Sequence, residues 1–249
     1  MRRVDRRPTR TWLQRARHVA KSLPGGLWTV REGAPALSIW EMSGYSPPGP
    51  SSNGSSVEEV AALDYSFTAD ERRLIELWER HMSCEFAERD AAATVATMSG
   101  ENYVNHVPIM TGGRGREELL EFYGRHFIPK MPADTEIAPV CRTVGQGRVV
   151  DEIIFKFTHD VEMDWMLPGV PPTGKRVEVP LVVVVQLGGD SIICERIYWD
   201  QASVLVQLGL LDSSSLPVAG VESARKVLDA RLPSNELIRR AETSRSRHA

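Results

Sequence analysis

The chain has 249 residues, 42% of them hydrophobic and 25% charged, with a formal net charge of −3. That make-up fits a globular protein with one large domain or two small ones. No apolar run approaches the 18 or so residues of a membrane-crossing helix, and Cys84, Cys141 and Cys194 show no zinc-ligand or disulfide spacing.

The charge is unevenly spread. Residues 1–31 carry eight Arg and one Lys against one Asp, so this stretch is +8 and the remainder −11. An Arg-rich, acid-poor start fits either a disordered basic arm or a mitochondrial import leader; its scarcity of serine favours the arm. Because no interleaved aromatics or reader motif follow it, nucleic acid is not an expected partner. The cysteine usage fits a reduced, cytoplasmic compartment. SGYSPPGPSSNGSS (43–56) reads as a linker. The expected organisation is an arm and linker over 1–56, a folded domain over 57–212, and a helical extension with a frayed tail over 213–249.

Thr68 and Glu71 form a capping-box pattern. Behind them Leu74, Ile75, Trp78, Met82 and Phe86 recur at helical spacing, predicting a helix over 69–90. AAATVATM continues as a short helix, NYVNHV (102–107) reads as a short strand ended by Pro108, and 115–127 as a third helix. The period then changes to two. Strands are expected over 135–145, 148–160, 175–187 and 191–200, with GQG and GGD turns making the first and last pairs hairpins. A long Pro/Gly-rich loop (166–175) separates the pairs. A helix over 201–210 and one or two more helices follow. Helices first and consecutive strands after predict an α+β fold: a curved antiparallel sheet, a cone-shaped half barrel, wrapped around the N-terminal helices with a pocket between.

Alternation sorts the strand residues into faces. Ile153, Phe155, Phe157 and His159 share one face, with His159 at the end of the apolar row. On the last strand Cys194, Arg196, Tyr198 and Asp200 share a face opposite Glu195, Ile197 and Trp199. Neither face is purely apolar, so alternation alone leaves open which is concave. Glu195 reads as a surface charge or ion-pair partner, and Asp200 as either a pocket acid or the cap of the next helix.

NYVNHVP, GGRGREELLEFY, PPTGK and the ending YWDQxxxLxQLGL, in this order over about residues 68–212, resemble the SnoaL-like polyketide cyclases of the nuclear transport factor 2-like superfamily. The resemblance implies an acid on the late strand that gives and takes protons without metal or cofactor, and the matching residue is Asp200. A carboxylate walled by Tyr198, Trp199 and apolar residues is costly to ionise, which moves its pKa toward the working pH. His106 and His159 are the accompanying catalytic candidates. Tyr103, Tyr198, Trp165, His81 and Trp78 are the substrate-binding candidates. His106, His159 and Asp200 could imitate a two-His, one-carboxylate metal site, but they lie on three segments without ligand spacing, so no metal is expected.

The implied activity is a cofactor-independent cyclase, isomerase or dehydratase acting on a small hydrophobic carbonyl compound, in a homodimer. An epoxide or ester hydrolase of the same fold and a non-catalytic ligand-binding or dimerisation module are the alternatives. The chain has no G-x-S-x-G elbow, which disfavours a serine hydrolase.

Overall fold

The computed structural model describes residues 67–246. The basic arm, the linker and the expected domain start at Val57 lie outside them.

Helix α1 (Ala69–Met82) starts as its sequence predicts: the Thr68 side chain accepts from Glu71 N, and the Glu71 carboxylate accepts from Thr68 N. The predicted helix to residue 90 does not stay α-helical. It widens into a π-helical segment, Ser83–Glu88, and stops at Arg89 in left-handed conformation. Helix α2 (Ala91–Ala96) is capped by Asp90, and strand β1 (Met98–His106) follows. Strand β2 (Thr111–Arg114), which is not among the expected strands, pairs with β1. Its glycine content has a steric cause. At Gly112 (φ 137°) a Cβ would lie 2.0 Å from the Val104 carbonyl oxygen, so only glycine lets the two backbones approach. Helix α3 (Gly115–Glu121) again passes into a π-helical segment, Phe122–Phe127.

Four long strands follow: β3 (Glu136–Gly145), β4 (Arg148–Thr158), β5 (Arg176–Gly188) and β6 (Ser191–Trp199). They match the alternation-based expectations to within about two residues. Gln146 and Gly147, both at positive φ, make the tight turn between β3 and β4. Helices α4 (Gln201–Leu208), α5 (Glu222–Leu228) and α6 (Glu236–Ser246) complete the described chain.

The six strands form one curved, unclosed sheet in the order β2-β1-β6-β5-β4-β3, and the α+β class is as expected. The sheet is not wholly antiparallel, however: β1 and β6 run parallel. The β3–β6 meander leaves one edge of β6 open, and the β1–β2 hairpin fills it from the other end of the sequence. Irregular pairing sets the faces. Between Gln186 and Leu187 of β5, strand β6 carries an extra residue, Ile193, so its phase shifts and both Cys194 and Glu195 become buried.

Helix α1 lies across β3, β4 and β6 on the concave side, and its buried residues are Trp78, His81 and Met82. The core they join includes Leu119, Tyr123, Ile153, Phe155, Phe157 and Trp165. Helices α4 and α5 pack on β5 instead. Gln207 of α4 accepts from Glu178 N (2.9 Å) and donates to Glu178 O (3.0 Å). It thus satisfies the backbone of β5 where β6 has already ended. Ser203 Oγ donates to Gly220 O (2.9 Å) and ties α5 to α4.

Candidate active site

A narrow cavity of about 50 Å³ lies between the helices and the concave face. Its walls are mostly apolar, but Glu85, Glu195, Tyr123, His106 and Trp165 interrupt them. Both π-helical segments contribute, Glu85 and Phe86 from the first and Tyr123 and Phe127 from the second. The wider helical turn is a recurrent way to place functional side chains.

Behind the carboxylates sits His81, fully buried. Its Nδ1 is 2.6 Å from Thr97 Oγ1, and Thr97 spends its one hydroxyl proton on Thr94 O at 2.7 Å. Thr97 can therefore only accept from His81, so Nδ1 carries a proton. Nε2 faces Glu85 Oε1 at 3.0 Å and Glu195 Oε1 at 3.1 Å, and a lone pair there would meet two carboxylate oxygens. The ring is therefore an imidazolium. Burial alone would push its pKa down, but the charges of Glu195 and Glu85 outweigh this and raise it to about 10. Its Nε2 proton is directed at Glu85, so Glu195 Oε1 is paired by charge without a hydrogen bond of its own.

One imidazolium for two carboxyls leaves an excess of negative charge. Burial pushes the Glu85 carboxyl up, His81 partly offsets this, and the Glu195 charge adds to it. Tyr123 Oη, 3.4 Å from His81 Nε2, is pushed well up by burial and then by the charges of Glu195 and Glu85, so it stays a phenol. Ligand atoms of His81, Glu85 and Glu195 also lie within 4.8 Å of one another, and these three could hold a divalent ion if Nε2 gave up its proton.

A second layer fixes the ring. Trp78 stacks on His81 with centroids 5.5 Å apart and planes 19° apart. The Trp78 indole N–H donates to Asp151 Oδ2 (2.8 Å). Arg142 grips Asp151 through Nε (2.7 Å) and Nη2 (2.8 Å), and reaches Glu79 through Nη1 (2.8 Å). Asp151 is thus buried and paired.

The structure separates the eight residues singled out from the sequence. Trp78, His106 and Trp165 line the cavity, and His81 stands behind its two carboxylates. His106 is packed among Phe122, Phe127, Trp165 and Trp199, and burial pushes its pKa down to about 3, so it is a neutral imidazole. His159 is buried at the end of β4, where its Nδ1 meets the Thr173 hydroxyl (3.2 Å) and backbone N–H (3.4 Å). It does not border the cavity.

Asp200, Tyr198 and Tyr103 are exposed. The expectation that Asp200 projects into the hollow is corrected: it caps α4, accepting from Ser203 N at 3.1 Å. The shifted phase of β6 turns Glu195, Ile197 and Trp199 inward, and Tyr198 and Asp200 out with it. Tyr103 lies over an open groove with Met110 and Arg114. Replacing Asp200 with alanine is expected to cost about 1 kcal/mol, the usual value of such a cap, in a urea titration.

The residues that sequence reasoning missed are Glu85, Glu195, Tyr123 and Thr97. One available signal was the i, i+4 spacing of His81 and Glu85 on the apolar side of the helix expected over 69–90. Another was the more apolar company of Glu195, beside Ile197 and Trp199.

The family model described as SnoaL-like domain matches residues 78–195. By that match residues 78–195 are a SnoaL-like domain. No curated protein sequence matches the chain. Among solved structures, it is similar to a putative SnoaL-like polyketide cyclase from Jannaschia sp. CCS1. That likeness is 20% identity over 59% of this chain and 99% of the other, at a TM-score of 0.45. It is also similar to TsrD from Streptomyces laurentii, at 18% identity over 58% and 100% of the two chains and a TM-score of 0.45. AclR from Streptomyces galilaeus, a putative hydroxylase, is 15% identical over 57% and 99%, with a TM-score of 0.43.

Proposed function

We propose that the domain is an acid/base enzyme of the cyclase, isomerase or dehydratase type, and that Glu195 is the group that moves the proton. The observation that carries this reading is a pair of carboxyls, Glu195 and Glu85, buried in the wall of an otherwise apolar cavity with one imidazolium between them. Buried charge of this kind is costly to retain. A site that shares protons among close groups can take one from a bound molecule and return it elsewhere. Glu195, which borders the cavity from β6, is the base. Glu85, whose carboxyl is pushed up, is the group able to hold and return a proton.

The substrate is a small, largely apolar molecule bearing a carbonyl group. At roughly 10–15 Å³ per water, 50 Å³ offers about four water-sized positions. A larger, polyketide-like molecule would enter only if the β4–β5 connection, which carries Trp165, moved aside. That small volume also favours a second reading, a module that binds a ligand without converting it.

Exchange of the α-protons of cyclopentanone and other small ketones in D2O, followed by proton NMR, separates the two. Enzyme-catalysed exchange is expected. Glu195→Gln should slow it by about 10²- to 10⁴-fold, the usual contribution of a positioned base. Binding without exchange would support the module instead, and unchanged exchange in Glu195→Gln would remove Glu195 from the role.

A further inference from the structure

Seven buried side-chain nitrogen and oxygen atoms among the described residues lack a hydrogen-bond partner. Ser99, Asn102 and His159 lie away from the cavity, whereas Glu195, His106 and Trp165 all border it. An indole N–H is a donor only, and leaving it unsatisfied in a core is costly. The other two described tryptophans show the ordinary solution: Trp78 donates to Asp151 and Trp199 to Gln201 Oε1 at 3.0 Å. Trp165 has no such acceptor, yet it is held firmly. Its carbonyl accepts from Thr111 Oγ1 (2.7 Å), and its ring packs on Phe127 (4.9 Å between centroids) and Phe155 (5.8 Å). The His106 ring, with Nδ1 likewise unpartnered, is 5.1 Å from it.

The two kinds of unpartnered group sit at different levels of the sheet. In the parallel β1–β6 register Val104 lies beside Glu195 and His106 beside Ile197. His106 is therefore two residues along from the carboxylate, or about 7 Å at roughly 3.3 Å per residue. The cavity has an acidic level and, further along, a level with an unsatisfied N–H.

We propose that Trp165 and His106 form a subsite for one uncharged oxygen acceptor, the carbonyl oxygen of a molecule of about four to six heavy atoms. The Trp165 N–H donates to that oxygen. The neutral imidazole of His106, its charged form suppressed by burial, offers no cation, so a carboxylate or phosphate group is rejected. The inference deepens the acid/base reading and rests on it for one thing only, that the carbon skeleton then extends toward Glu195.

Protein labelled with 15N at the tryptophan indoles tests it, with cyclopentanone, cyclopentane and acetate as probes and Trp165→Phe assigning the resonance. Cyclopentanone should move the Trp165 indole proton downfield by several tenths of a ppm and leave those of Trp78 and Trp199 in place. Cyclopentane and acetate should not move it. Trp165→Phe should weaken cyclopentanone binding about 3- to 10-fold. Absence of cyclopentanone binding, an unmoved Trp165 resonance on binding, an equal shift with acetate, or unchanged affinity in Trp165→Phe would each overturn the subsite. Glu195→Gln separates this test from the previous one. It should keep the indole shift while losing proton exchange, and a shift without exchange in the unaltered protein would sink the acid/base reading alone.

Discussion

Replacing His81 with phenylalanine is expected to destabilise the domain by about 3–5 kcal/mol at pH 8, because removing one partner of a buried ion pair strands the other. Here two partners are stranded, Glu85 and Glu195, both nearly inaccessible to water. Urea denaturation at several pH values measures it. The direction of the pH dependence follows from the charges. In the native protein His81 is raised to about 10 from its ordinary 6.5. Its stabilisation is therefore fully present below about pH 6.5 and is lost as pH rises through about 10. In His81→Phe the uncompensated carboxyls can relax only by taking up protons, so the deficit should shrink as the pH is lowered toward 4. A deficit under 1 kcal/mol at pH 8 would mean that the imidazolium is not what holds the two acids.

Arg142→Met should be comparably damaging, about 3–5 kcal/mol by the same reasoning. The guanidinium makes two bonds to Asp151, which is buried at 1% exposure, and a third to Glu79. Without it, Asp151 keeps only the indole N–H of Trp78 among these partners. Since Trp78 stacks on His81, the variant should also loosen the imidazole. The double variant Arg142→Met/Asp151→Asn, which removes both charges together, should recover a large part of the stability. Failure to recover would point to lost packing and not to stranded charge.

The strands were legible because their cause is local. Arg148–Thr158 and Arg176–Gly188 alternate with period two, and the Gln146-Gly147 turn needs only short-range chemistry. The capping box at Thr68 was legible for the same reason. What could not be read depends on partners far along the chain. The parallel seating of β1 beside β6 leaves no mark on either strand's own pattern. The extra residue Ile193 is set by pairing with β5, and it decides that Glu195 faces inward while Asp200 ends at the surface. Trp78 and His106 line the cavity because each sits on an apolar row that burial dictates, and Trp165 joins them from the β4–β5 connection. The acids did not survive, because a carboxyl in a core is intelligible only once its counter-charge, supplied here by His81 from another element, is known.

The position of β6 has a consequence for how the chain is made. It is the last of the described strands to be synthesised, yet it is the piece that joins the β1–β2 hairpin to the β3–β5 meander. A nascent polypeptide halted on the ribosome before residue 191 would hold two unjoined fragments, each with an open edge of backbone groups seeking a mate. It would also lack Glu195, so the acid pair of the cavity and the joined sheet would arrive in one step.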